Sequence, residues 1–266
     1  MSRSLLASAC ALVLIAPRAD AQSLQRRILG SPDGGIEFTF AARAGVCGDG
    51  ATYVRDGFGG NNRISDGGNF NGRGNDVDWP PCVEGPVRVL AFVNGGEITR
   101  LRTFAGPRRS LRQSPISDLG IVPVDEAADF LSRTIERGQG RASSDAVLPL
   151  ILADSIDPWP TLLRIARDER SSRATRGSVS FWLARGAAAK LGVVDRDDAA
   201  DDDVRASAVF ALSQQPKDVS VPRLIELVRT SSHPGVRAQA LFWLGQSNDP
   251  RAIGLFEDIL GGRRSR

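Results

Sequence analysis

The chain has 266 residues, a formal net charge of +3 and 24% charged residues, enough length for one large domain or two modest ones with a substantial core. Lys190 and Lys217 are its only lysines. Acidic and basic residues alternate instead of gathering with aromatics on one helix face, which argues against a nucleic-acid binder. The first 21 residues place Arg3 ahead of an apolar run from Leu5 to Ile15, and Ala19-Asp20-Ala21 forms a small-x-small site before Gln22. This is the pattern of a cleaved export signal, and the run is too short for a membrane anchor, which needs about 20 apolar residues. The expected product, cut after Ala21, is periplasmic or secreted and not stably inserted in a membrane.

Cys47 and Cys82 are the two cysteines that remain after that cut. An even pair in an exported chain reads as one disulfide, worth about 3 to 4 kcal/mol in the chain-entropy picture. Without a nearby histidine the pair makes a poor zinc site, so no metal is expected there. From residue 22 to 123 the texture is β-rich. A strand is predicted from Ile36, another from Val87 and a third from Glu97, with Asn94-Gly95-Gly96 turning the last two into a hairpin. Residues 57–78 read as a long polar loop tethered by the disulfide. Asp66, Asn69, Asn71, Asp76 and Asp78 offer oxygen atoms in that loop, yet their spacing does not follow a calcium-binding order, and a solvated turn-rich loop is the better reading.

From Val124 to the end, helical periodicity takes over, and it repeats. Arg237 to Leu244 reads Arg, four residues, Phe, one residue, Leu. The same phrase occurs at Arg205 to Leu212 and at Arg176 to Leu183, with a weaker copy at Asp145 to Leu152. The aligned leucines at 152, 183, 212 and 244 give steps of 31, 29 and 32 residues. A second phrase, Leu-x-x-Ser-x-Asp-Pro, ends at Pro158 and again at Pro250, and each copy leads into an apolar helical segment. A helix A, a turn and a helix B form the unit, which buries its apolar face only when stacked.

Within helix B, positions 0, 3, 4 and 7 counted from the arginine share one face, as in Arg237, Ala240, Leu241 and Leu244. Phe181, Phe210 and Phe242 are expected to fill the flank of that core. Arg176, Arg205 and Arg237 recur in phase with it, which assigns them a structural role rather than ligand contact. The period, the Val-Arg opening at Val204-Arg205 and Val236-Arg237, and the closing leucine resemble HEAT repeats, particularly the short HEAT-like kind also found in phycobilisome lyases. The resemblance implies an α-solenoid over residues 124–266 behind a smaller β-rich region, α+β overall. It departs from the family at Ser231, where HEAT repeats often carry an acid, and before Arg205, where helix A shrinks to Ala187–Val194.

In HEAT-like arrays the B helices line the concave side, so the resemblance places a stripe there: Ser178, Trp182 and Arg185; Ser207 and Gln214; Gln239, Trp243 and Gln246. Tryptophan beside glutamine and arginine suits a protein-binding patch, and packing of Trp182 and Trp243 against neighbouring helices is the alternative that the sequence leaves open. The six aspartates between Asp195 and Asp203 read as a solvated run, with Asp203 capping a helix that starts at Val204. Nothing points to catalysis. His233 is a lone turn histidine, there is no nucleophile elbow or phosphate loop, and no cofactor is implied. The expectation is an exported, non-enzymatic scaffold that binds a protein or peptide. The competing expectation is an enzyme, or a ligand- or cation-binding protein, with its site in the N-terminal region or at its junction with the array.

Overall fold

The computed structural model describes residues 23–58, 61–65, 68–70, 81–108, 116–137, 140–193 and 200–262. The export signal, Asp66, Asn71, Asp76, Asp78 and Asp195–Asp198 lie outside the described residues. A short helix α1 (Leu24–Leu29) buries Leu24 and Ile28 and precedes the first strand, β1 (Gly34–Phe40). Next come β2 (Val46–Gly48), β3 (Tyr53–Asp56), β4 (Asn61–Ser65), β5 (Gly68–Phe70) and β6 (Val83–Glu84), which form a five-stranded sheet in the order β5-β4-β3-β2-β6. The expectation of an irregular loop over residues 57–78 is thus corrected in part, because β4 pairs antiparallel with both β3 and β5.

Strands β7 (Val87–Asn94), β8 (Glu97–Ala105) and β9 (Ile116–Ile121) join β1 in a four-stranded sheet ordered β8-β7-β1-β9. The expected β7–β8 hairpin is present, closed by Gly95 and Gly96, both at positive φ, the backbone a two-residue turn requires. Strand β9 runs parallel to β1 and is an element that the sequence reading did not include. One face of this sheet carries Ile36, Phe38, Val89, Ala91 and Leu101, all buried, and Phe38 meets the edge of Phe130 at 5.6 Å.

Phe130 belongs to α2 (Val124–Glu136), which opens the helical region three residues after the last strand ends. Helices α3 (Gly140–Asp145) and α4 (Val147–Leu152) follow, and α3 lies against the β8 edge, where the Asp145 carboxylate accepts a hydrogen bond from the Leu101 amide at 3.1 Å. The remaining helices are α5 (Trp159–Arg167), α6 (Arg173–Lys190), α7 (Ala200–Ser213), α8 (Lys217–Thr230), α9 (Pro234–Ser247) and α10 (Pro250–Leu260). Proline at the first or second position of α5, α9 and α10 supplies helical φ where no amide hydrogen is needed.

Two boundaries differ from expectation. Helix α6 runs unbroken to Lys190, so Ala187–Lys190 is its last turn and no separate helix A covers those residues. The alanine run Ala187-Ala188-Ala189 simply continues a good helix. Helix α7 begins at Ala200 rather than Val204, so Asp203 lies within it and is not its cap.

The stacking order of the helices does not follow the chain. Helix α9 packs on α6, while α10 packs on α5 and α6. The crossing of α6 and α9 is close because Gly245 has no side chain: a Cβ there would lie 2.8 Å from the Ala184 Cβ and 3.2 Å from the Ser180 carbonyl oxygen. The Lys190 ammonium donates to the Leu260 carbonyl at 2.6 Å, and Arg167 pairs with Glu257, tying α10 to α5 and α6. Helix α7 packs on α8 and α9 instead. The last hairpin, α9–α10, therefore sits between α5–α6 and α7–α8.

Candidate functional site

Each arginine of the repeated phrase sits in the first two turns of a B helix, and Arg176 and Arg237 make the same kind of contact. Arg237 donates to the Ser231 carbonyl at 2.8 Å, and Arg176 donates to the Ser171 carbonyl and, at 3.1 Å, to that of Glu169. Each guanidinium thus satisfies carbonyls of the turn that leads into its own helix. Arg205 is half-buried at the corresponding position of α7.

The proposed stripe is not brought together as one surface. Trp182 is fully buried and Gln239 is 7% exposed, so neither is available to a partner. The reason lies in the stacking order: α6 is enclosed by α5, α9, α10 and α3, so the side expected to be concave is interior. Ser178 is half-buried, with its hydroxyl 3.4 Å from the Ser144 carbonyl. Arg185 is also half-buried and belongs to the junction with the β region. Ser207, Gln214 and Gln246 are exposed, and Trp243 is half-buried.

One aromatic residue changes role. Phe210, expected to fill a core flank, is 48% exposed, and its ring lies 5.2 Å from that of Trp243, which in turn meets the edge of Phe242 at 5.0 Å. Ala208, expected on the packed face of α7, is exposed as well, and Val209 is the buried hydrophobic residue of this helix among those whose side chains are described. Among the described residues, no further helix lies between α6 and α7 to cover that side. The shortened segment before Arg205 was the signal in the sequence that could have identified the exposed face. Ser207, Phe210, Gln214, Trp243 and Gln246 thus form an aromatic patch with polar neighbours on α7 and α9.

A second concentration of polar chemistry lies at the junction of the β region with α5 and α6. Asp56, fully buried, pairs with Arg185 at 3.0 Å and also accepts from the Phe58 amide at 2.8 Å. Arg43 donates to the carbonyls of Ala153 and Ile156, at 3.3 and 3.0 Å, and stacks over Phe58. Phe58 meets Trp159, whose ring lies so close over Gly186 that a Cβ there would come within 2.3 Å of it. Burial pulls the Arg43 guanidinium below its usual pKa, against the attraction of Asp154 and Asp157. These contacts interlock the two regions.

A third cluster spans β1, β7 and β9. Glu37 and Arg88, both 3% exposed, pair at 3.3 Å, and Arg108 bridges Glu37 at 2.7 Å to Asp118 at 2.9 Å. Arg88 also donates to the Gly50 carbonyl at 2.8 Å. Burial lowers the Arg88 pKa more than Glu37 raises it, whereas the hydrogen bond to Asp118 raises that of Arg108. The network holds a charged pair inside the fold by mutual pairing. Among the described residues, no group of three or more histidine, cysteine, aspartate or glutamate side chains is placed to hold a metal ion. Among them too, no helix is long and apolar enough to cross a membrane.

Comparison with known proteins gives one finding: residues 194–265, which include α7 to α10, match the family model described as HEAT repeats. No curated protein and no solved structure matches the chain. The C-terminal part therefore carries HEAT repeats, behind N-terminal β-sheets, in an α+β fold. HEAT repeats are in general protein-interaction scaffolds, which suggests protein partners for this chain. Cys47 and Cys82 form the expected disulfide, with Cα atoms 5.3 Å apart.

Proposed function

We propose that this is an exported, non-enzymatic interaction protein whose HEAT-repeat part receives a protein partner on the outer face of α7 and α9. The observation that carries this reading is the exposed Phe210 ring tilted against Trp243 at 5.2 Å, with Ser207, Gln214 and Gln246 exposed on the same two helices. A large aromatic beside adaptable amide groups, on a helix with few buried contacts of its own, is the composition of an interaction hot spot. Export is supported by the apolar run and cut site before Gln22 and is consistent with a formed disulfide.

The β region serves as the support of this reading rather than its site. Its buried Glu37 and Arg88 are paired inside the fold, and the Asp56–Arg185 pair anchors it to α6, at the opposite end of the helical stack from α7. The test is capture from periplasmic extract with the mature chain and with Phe210→Glu, helicity being checked by circular dichroism. A protein retained by the wild type and lost by the variant at unchanged helicity supports the reading. Equal retention by both rejects this surface.

A further inference from the structure

We infer that Lys190 and Lys217 form a two-sided clasp that holds the α9–α10 hairpin inside the stack, and that this clasp makes the array sensitive to acylation of its amines. The inference goes beyond the interaction reading and does not depend on it. It starts from composition. Lys190 and Lys217 are the only lysines, and apart from His233 every other basic side chain is arginine. Each ammonium donates, at 2.6 Å, to the carbonyl of the last residue of a helix: Lys190 to Leu260 of α10, and Lys217 to Ser247 of α9. The two come from opposite sides of the hairpin, since Lys190 ends α6 and Lys217 opens α8.

Both targets lack a cation of their own. Helices α5, α6 and α8 carry a basic residue in their last turn, whereas α9 and α10 carry none, and α10 places Glu257 and Asp258 there instead. The last carbonyls of a helix have no amide partner within it and form the negative end of its dipole, so a cation supplied from outside is stabilising. A lysine ammonium brings a compact charge with rotatable donors to that point. Each lysine is seconded by an arginine. Arg251 of α10, oriented by Asp249, donates to the Lys217 carbonyl at 3.0 Å, and Arg167 of α5 pairs with Glu257.

Both lysine residues are exposed, which leaves their amines within reach of an activated ester. The ammonium first gives up a proton to solvent, and the free amine attacks the ester carbonyl carbon. A C–N bond forms, the C–O bond to the leaving group breaks, and the leaving group departs with a second proton from the nitrogen. A neutral amide replaces the cation at the helix end. The hairpin then loses one tie to α6 and one to α8.

The experiment acetylates the folded mature chain with an N-hydroxysuccinimide ester until mass spectrometry finds both lysines converted. In parallel the chain is dimethylated reductively with formaldehyde and a borane, which keeps the charge and one donor on each nitrogen. Amide hydrogen exchange is then followed helix by helix, with β1 as the internal reference. Acetylated wild type is expected to exchange about threefold faster or more in α9 and α10, as befits helices that lose a charge at their C-terminal ends. Exchange in β1, and throughout the dimethylated chain, is expected to stay as it was. The Lys190→Arg, Lys217→Arg double variant keeps the N-terminal amine as its one target, and acetylation is expected to leave its exchange unchanged. Unaltered exchange in acetylated wild type overturns the inference. An equal rise in the dimethylated chain or in the acetylated double variant does so too, because the grip would then owe nothing to the two lysine charges.

Discussion

Helices α6 and α7 carry the same phrase, RGSVSFWL and RASAVFAL, and end in opposite situations. In α6 the position after the phenylalanine is Trp182, fully buried; in α7 it is Ala211, exposed, and the phenylalanine itself is 48% exposed. Both sequences make a helix, and both place an arginine in its first two turns. Which face becomes core is decided by the neighbours: α6 has α3, α5, α9 and α10 around it, whereas α7 rests on α8 and α9. A repeat motif specifies the element and its pitch, and stacking specifies the burial.

That contrast can be tested directly. Trp182→Ala should lower the unfolding free energy by about 3 to 5 kcal/mol, the range for deleting a buried aromatic. Phe210→Ala should cost less than about 1 kcal/mol, as surface changes do. Urea titrations of both variants measure the difference, and equal costs would remove the contrast. Loss of the disulfide in a Cys47→Ala, Cys82→Ala double variant should cost about 3 to 4 kcal/mol. Because Val46 pairs with Asp56 beside the bridge, amide exchange should rise in α6, which Asp56 grips, and stay unchanged in α7.

Arg185→Ala is expected to cost about 3 kcal/mol, since it leaves the buried Asp56 without its guanidinium. A double variant that also replaces Asp56 by Ala should cost less than the sum of the two single changes, which thermal unfolding of the four proteins would show. A smaller effect than that of Arg185→Ala is expected at the β2–β3 turn. Burial alone would push the Asp49 carboxyl up, but hydrogen bonds from the Thr52 hydroxyl and from the amides of Thr52, Ala51 and Tyr53 outweigh it and hold the pKa at about 2. A folded pKa below the unfolded value contributes stability that is present above about 3.8 and lost as pH falls toward about 2. Wild type should therefore exceed Asp49→Asn by about 1 to 2 kcal/mol at pH 6, with the gap closing in chemical denaturation near pH 2.

The sequence carried the repeat because its period is local: the spacing of Leu183, Leu212 and Leu244 needs only helical geometry to be read. It carried the β7–β8 hairpin for the same reason, through Asn94-Gly95-Gly96. Strand β9 was not legible, since its pairing with β1 spans most of the β region and leaves a half-exposed pattern in Ile116–Ile121. The candidate surface was legible only in part. Ser207 and Gln214 on α7 and Gln246 on α9 are exposed, yet Trp182 and Gln239 went to the interior and Phe210 came out of it. Helical phase alone cannot tell which sides of a helix will have neighbours when the stacking order departs from chain order.

The position of α9–α10 has a consequence for shortening the protein. In a linear array, removing the last pair trims one end and leaves the remaining units stacked. Here the 25 residues of the last two helices, Pro234–Ser247 and Pro250–Leu260, form the middle of the stack. Deleting them would part α5–α6 from α7–α8 and cut the array in two, so the helical half behaves as a single indivisible piece rather than as a set of interchangeable modules.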